Sequence, residues 1–225
     1  FPSMPLHLQL FQTMGWKTPK YAHVSPIEKL DNGARRKLSK RKDPEAGMHF
    51  YAEQGYLKEA LLDYLMNIAN SNFEDWRKIN PSKPYTDFEF SLKKINASGA
   101  LFDFTKLDSV GREVIAKISA EDLLKLLEVW AQTYKPAFAQ KIASNRNYVL
   151  NILKIERENV KNVRKDFAKL SDIEEKIAFF FDDEFVRDDA LLATFDKSII
   201  KNIAADFAKI YEPHDDNATW FNKVK

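Results

Sequence analysis

The chain has 225 residues, 44% hydrophobic and 30% charged, which is the balance of an ordinary globular protein with room for one large domain or two small ones. Its formal net charge of +2 supplies no global field for nucleic acid, so any basic surface must be local. The absence of cysteine excludes disulfides and thiolate zinc sites and fits a reducing cytoplasm, and the longest apolar runs, such as residues 177–181, are far too short to span a membrane.

The chain opens on Phe1-Pro2 rather than methionine, so a piece of something longer is expected. Leu6, Leu10 and Met14 then recur at helical spacing up to Gly15, a helix stop. Pro19 and Pro26 bracket a possible short strand at Tyr21-Ala22-His23-Val24, and Asp31-Asn32-Gly33 is a turn signal. Leu57, Leu61, Leu65 and Ile68 predict a helix over 56–68. Residues 70–85, with Pro81 and Pro84, read as a loop, residues 88–94 as a short strand or extended arm, and 96–99 as a break. Beyond this the pattern is helical. A helix is expected over 104–118, followed by another that Ser119 caps, with Asp122 three residues on and Leu123, Leu126, Leu127 and Trp130 inward. Residues 147–170 read as one helix or a broken pair. Ser171 should cap a short helix ending in three phenylalanines. Asp196 starts the clearest one, with Ile199, Ile200, Ile203, Phe207 and Ile210 in a stripe, and a last helix begins near Asn217. Pro136 and the polar run 144–147 suggest a domain break near 135–147.

One segment stands apart. Residues 33–42 read Gly-Ala-Arg-Arg-Lys-Leu-Ser-Lys-Arg-Lys, six cations in ten residues. Such charges repel one another unless an anion lies between them, and lysines with a serine hydroxyl suit a polyphosphate. A basic surface loop or a localisation signal has the same composition. Further on, Lys154, Arg157, Lys161, Arg164 and Lys165 fall on one face if residues 154–169 are helical, with Val160, Val163, Phe167 and Leu170 as the neighbouring apolar stripe. That face is either a ridge for RNA phosphates or a solvated surface interleaved with Glu156, Glu158 and Asp166. Trp76, Trp130 and Trp220 could stack on bases, although the spacing of Trp130 places it in a core.

The order of residues in the basic segment says more than its composition. Lys37-Leu38-Ser39-Lys40-Arg41 resembles the second signature of class I aminoacyl-tRNA synthetases: lysine, an apolar residue, serine, lysine, then serine or arginine. Upstream, Pro5-Leu6-His7-Leu8-Gln9-Leu10-Phe11, Gly15-Trp16 and Tyr21-Ala22-His23 are similar to the glutamyl and glutaminyl enzymes. Downstream, residues 51–57, 59–65 and 99–103 with Lys106-Leu107 are similar to the glutamyl ones. The chain thus resembles bacterial-type glutamyl-tRNA synthetases, closely from Pro2 to about Ile118 and more loosely beyond.

The resemblance implies activation of glutamate by ATP (with Mg2+) and transfer to tRNA(Glu), by a monomeric cytoplasmic enzyme without zinc. It implies a mainly α fold: the tail of a catalytic Rossmann domain over 1–25, the signature loop and a small α/β stem-contact region over 26–135, and an incomplete helical anticodon-binding bundle over 136–225. Carried over residue by residue, Lys40 is the catalytic lysine at the ATP phosphates, with Lys37, Ser39 and Ile27 also at the ATP. Arg41, Lys42, Arg157, Lys161 and Arg164 are the expected tRNA contacts. The family's first, histidine-containing signature is absent, and so are its upstream glutamate-binding residues. His7, His23 and His49 do not replace them, so the chain alone should not activate glutamate. The rival expectation is a non-catalytic RNA-binding or interaction module derived from such an enzyme.

Overall fold

A computed structural model describes residues 3–21, 23–95, 100–158, 160–186 and 195–225, apart from the side chain of Asn217. The described residues are mainly α, with one small sheet. They divide into two compact units, Phe1–Lys176 and Ile177–Lys225.

In the first unit, helix α1 (Met4–Thr13) ends at Gly15, whose φ of +68° is cheap for a residue without a side chain. The expected strand at 21–24 does not form: Tyr21, His23 and Val24 are irregular, and Ala22 lies outside the described residues. The strands come just after it. β1 (Ile27–Asp31) and β2 (Ala34–Lys37) pair antiparallel, from Glu28 opposite Lys37 to Asp31 opposite Ala34. The turn signal marks their hairpin, since Asn32 and Gly33 both have positive φ (49° and 81°), as a two-residue connection of the right twist requires. A third strand, β3 (Ala100–Leu101), pairs parallel to β1 and completes the order β2-β1-β3.

The same unit holds α2 (Met48–Gln54), α3 (Lys58–Ala69), α4 (Phe73–Ile79) and α5 (Phe104–Ile115), with α3 packed on α4 and α5. Tyr51, Tyr56, Leu61, Tyr64 and Leu107 form their core, with Phe50, Leu65, Ile68 and Phe102 partly buried against it. The arm expected at 88–94 is not a strand. It holds a single helical turn at Leu92–Lys94, and the buried Asn70 fastens it by donating its amide to the Ser91 carbonyl at 2.8 Å. The expected break at 96–99 lies outside the described residues.

Helices α6 (Ala120–Tyr134), α7 (Pro136–Ser144) and α8 (Arg146–Lys154) follow and pack on one another. Ser119 caps α6 as expected, its hydroxyl accepting from the Asp122 amide at 3.1 Å. Leu123, Leu127 and Trp130 are buried, but Leu124 takes the inward place expected for Leu126, which is exposed. Trp130 is a core residue, its indole donating to the carbonyls of Ala52 and Glu53.

Of the one helix or broken pair expected over 147–170, α8 supplies the part up to Lys154. Ile155 and Glu156 form a turn, Glu156 with a left-handed φ of 53°, and the described residues from there to α9 (Ser171–Ile177) are irregular. Ser171 is the first residue of α9, and the carboxylate of Asp172 accepts from the Ala168 amide at 2.8 Å. In the second unit, Asp196 and Asp216 cap α10 (Lys197–Ile210) and α11 (Asn217–Val224). Phe207, Tyr211 and Trp220 pack together there, while Ile199 and Ile203 of the predicted stripe are exposed. Among the described residues no helix is long and apolar enough to cross a membrane.

Candidate functional site

The β1–β2 hairpin places the basic segment against the helical core. The amide of Leu38, just past β2, donates to the Ile27 carbonyl at 2.9 Å, so the two ends of the hairpin stay together. A tight turn over residues 39–43 follows. The amides of Lys42 and Asp43 both donate to the Ser39 carbonyl (3.0 and 2.8 Å), and the Ser39 amide donates to the Asp43 carboxylate at 2.8 Å. Lys40, Arg41 and Lys42 therefore ride on a turn closed at both ends.

Asp43 is almost fully buried, at 3% exposure, yet each of its oxygens is satisfied twice. One accepts from the Arg36 guanidinium at 2.8 Å and faces the Lys29 ammonium at 3.1 Å. The other accepts from Arg36 at 2.6 Å and from the Ser39 amide. These contacts fill the acceptor sites of a carboxylate, and the forked Arg36 pair holds the Asp43 carboxyl far below the usual range. Arg36 also donates to Asp31, and Lys29 to the buried Glu45. Glu45 is anchored in turn, its backbone carbonyl accepting from the Tyr51 hydroxyl at 2.6 Å.

Beside this turn lies a cleft of about 960 Å³, the size of a small-molecule site. Its lining includes Lys37, Lys40 and Glu45, with Ile27, Leu38, Met48, Tyr51, Leu61, Leu65 and Phe102 supplying apolar and aromatic surface. Among the described residues Lys37, Lys40, Arg41 and Lys42 make no ion pair, in contrast to Arg36 and Lys29. A cleft lined by both ammonium groups and carbon surface can hold an anion that also has an apolar part.

Of the residues singled out in the sequence, Ile27, Lys37 and Lys40 meet at this cleft, with Ser39 at the root of the turn. Arg41 and Lys42 are exposed on the same turn but do not line the cleft. The remaining three do not form a ridge, because α8 stops at Lys154. Arg157 is buried at 8% exposure, and its guanidinium donates to the carbonyls of Leu153, Ile115 and Ile118. It closes the ends of α5 and α8, where carbonyls lack partners within their helices, and cannot also face RNA phosphates in this conformation. Arg164 pairs with Asp166, and Lys161 is exposed on the irregular stretch. Lys154 and Lys165 of the expected ridge pair with Glu121 and Glu113. Sequence reasoning missed Lys29, Asp43 and Glu45. The one available signal was an aspartate directly after six cations, followed by proline.

The family described as "tRNA synthetases class I (E and Q), catalytic domain" matches residues 1–108, the part that contains the hairpin and the cleft. Over 99% of its length the chain is 42% identical to a glutamate–tRNA ligase of Acetivibrio thermocellus and 40% identical to one of Clostridium perfringens. It spans 41% of the length of each. A solved glutamate–tRNA synthetase of Elizabethkingia anophelis shares the fold, with a TM-score of 0.56 and 24% identity over 92% of this chain and 41% of that one. The chain is thus similar along nearly its whole length to glutamate–tRNA ligases, and residues 1–108 match the catalytic domain of the class I synthetases for E and Q.

Proposed function

We propose that this chain is part of a glutamate–tRNA ligase that activates glutamate with ATP, taken as its magnesium complex, and transfers it to tRNA(Glu). The single observation that carries the reading is the meeting of Lys37, Lys40 and Ile27 at one cleft, inside the segment that matches a synthetase catalytic domain. In the first step a glutamate carboxylate oxygen attacks the α-phosphorus, the bond to the β-phosphate breaks, and pyrophosphate leaves with the electron pair. Lys40 faces the developing charge, and a pre-placed cation of this kind lowers a barrier by about 3 to 4 kcal/mol. Lys37 shares the phosphates, and Ile27 with the apolar lining receives the adenine. In the second step a hydroxyl of the terminal adenosine of tRNA attacks the acyl carbon and AMP departs.

In this reading residues 1–25 are the tail of the Rossmann domain, 26–135 the phosphate loop and stem-contact region, and 136–225 part of the anticodon-binding bundle. Arg41, Lys42 and Lys161 contact tRNA phosphates, with Arg164 sharing its charge with Asp166. The enzyme works as a cytoplasmic monomer. A non-catalytic RNA-binding module is less favoured, because the relatives similar along the whole chain are named ligases. The test is glutamate-dependent exchange of pyrophosphate into ATP. A protein carrying this segment at the length of its relatives should exchange, and the 225-residue chain alone should not. Exchange by the chain alone would overturn the division of labour, and no exchange by the longer protein would overturn the ligase reading.

A further inference from the structure

We propose that Asp43 and Arg36 form a clamp that positions Lys40 for reaction, so that Arg36 belongs to the loop's framework and not to its anion-binding set. The inference rests on the ligase reading above and extends it to two residues with no assigned role. Six cations crowd residues 33–42; Lys37 and Lys40 line the cleft, and Arg36 does not. The Arg36 guanidinium makes a forked pair with Asp43 (2.6 and 2.8 Å) and also reaches Asp31, which leaves little donor capacity for a ligand. Asp43 in turn holds the Ser39 amide, so one carboxylate ties β2 to the far side of the turn that carries Lys40. Lys29 fastens the same carboxylate to β1. Asp43 cannot act as an acid or base on a ligand, because both of its oxygens are fully engaged and it is nearly inaccessible. It can act only through what it holds.

A positioning role makes a claim that a plain stability role does not. Misplacing a charge by an ångström matters most in the transition state, so the loss should fall on kcat rather than on KM for ATP. In a protein carrying this segment at the length of its relatives, Asp43→Asn should slow single-turnover adenylate formation by about 10- to 100-fold while KM for ATP changes less than about threefold. In a Lys40→Ala background the same substitution should cost less than about threefold, since its effect passes through Lys40. Arg36→Gln removes the same clamp from the half-exposed side, and it gives the same pattern should Asp43→Asn fail to accumulate. An undiminished effect of both clamp substitutions in the Lys40→Ala background would overturn the proposal, as would unchanged adenylation in the singles. If instead Lys40→Ala itself left adenylation unchanged, the ligase reading of the cleft would fail first, and the two failures are told apart.

Discussion

Asp43 and Arg157 show how one buried charge can organise a neighbourhood. Asp43 has a pKa depressed chiefly by the Arg36 hydrogen bonds, so it contributes stability that is fully present above its unfolded value of roughly 4 and is lost as pH falls through the folded one. Hydrogen exchange of the Ser39 and Asp43 amides should therefore hold steady from neutral pH to about pH 4, once corrected for intrinsic rates, and protection should fall only below it. In Asp43→Asn protection should be low throughout and independent of pH; an acid transition that persists there would assign it to another carboxylate. Arg157 is the opposite case, a buried cation facing three carbonyls instead of a carboxylate. Burial lowers its pKa, although a guanidinium stays charged at any working pH. Arg157→Leu would leave those carbonyls without their donor and should destabilise the fold by roughly 3 kcal/mol in urea denaturation. A near-neutral change would show that water replaces the guanidinium at no cost.

Among the elements, the sequence was legible where local chemistry decides and silent where distant contacts do. The Asn32-Gly33 turn, the Ser119 cap and the Asp196 start all rest on neighbouring residues, and the structure has each of them. The basic loop was legible from its order, but the carboxylate that shapes it was not, because Asp43 works by reaching back to Arg36 and Lys29. The stretch after Lys154 failed for the same reason. Its residues suit a helix, but Ala168 lies against Gly111 of α5 and the Leu170 amide donates to the Gly55 carbonyl at 2.9 Å. A glycine inside a predicted helix was the available hint of such a close approach. A Cβ on Gly111 would stand 2.1 Å from the Ala168 carbonyl oxygen. Gly111→Ala should therefore cost roughly 2 to 3 kcal/mol despite the better helix propensity of alanine. A stabilised variant in thermal denaturation would show that the 167–170 segment yields easily.

For the whole molecule, a net charge of +2 means that RNA binding must come from local clusters. If Arg41, Lys42 and Lys161 each neutralise one phosphate, a fourfold rise in salt should weaken tRNA binding by about 20- to 40-fold. Reversing all three to glutamate should flatten that slope with the circular dichroism unchanged, because all three are exposed. An unchanged slope in a titration of labelled tRNA would remove these residues from the interface and leave the cleft unaffected. The cleft is where the account is decided. Single-turnover formation of glutamyl-adenylate, followed in a protein carrying this segment at the length of its relatives, with and without Lys40→Ala, tests it most directly. The account predicts a fall of two to three orders of magnitude, the rate equivalent of about 3 to 4 kcal/mol, and equal rates in the two proteins would contradict it.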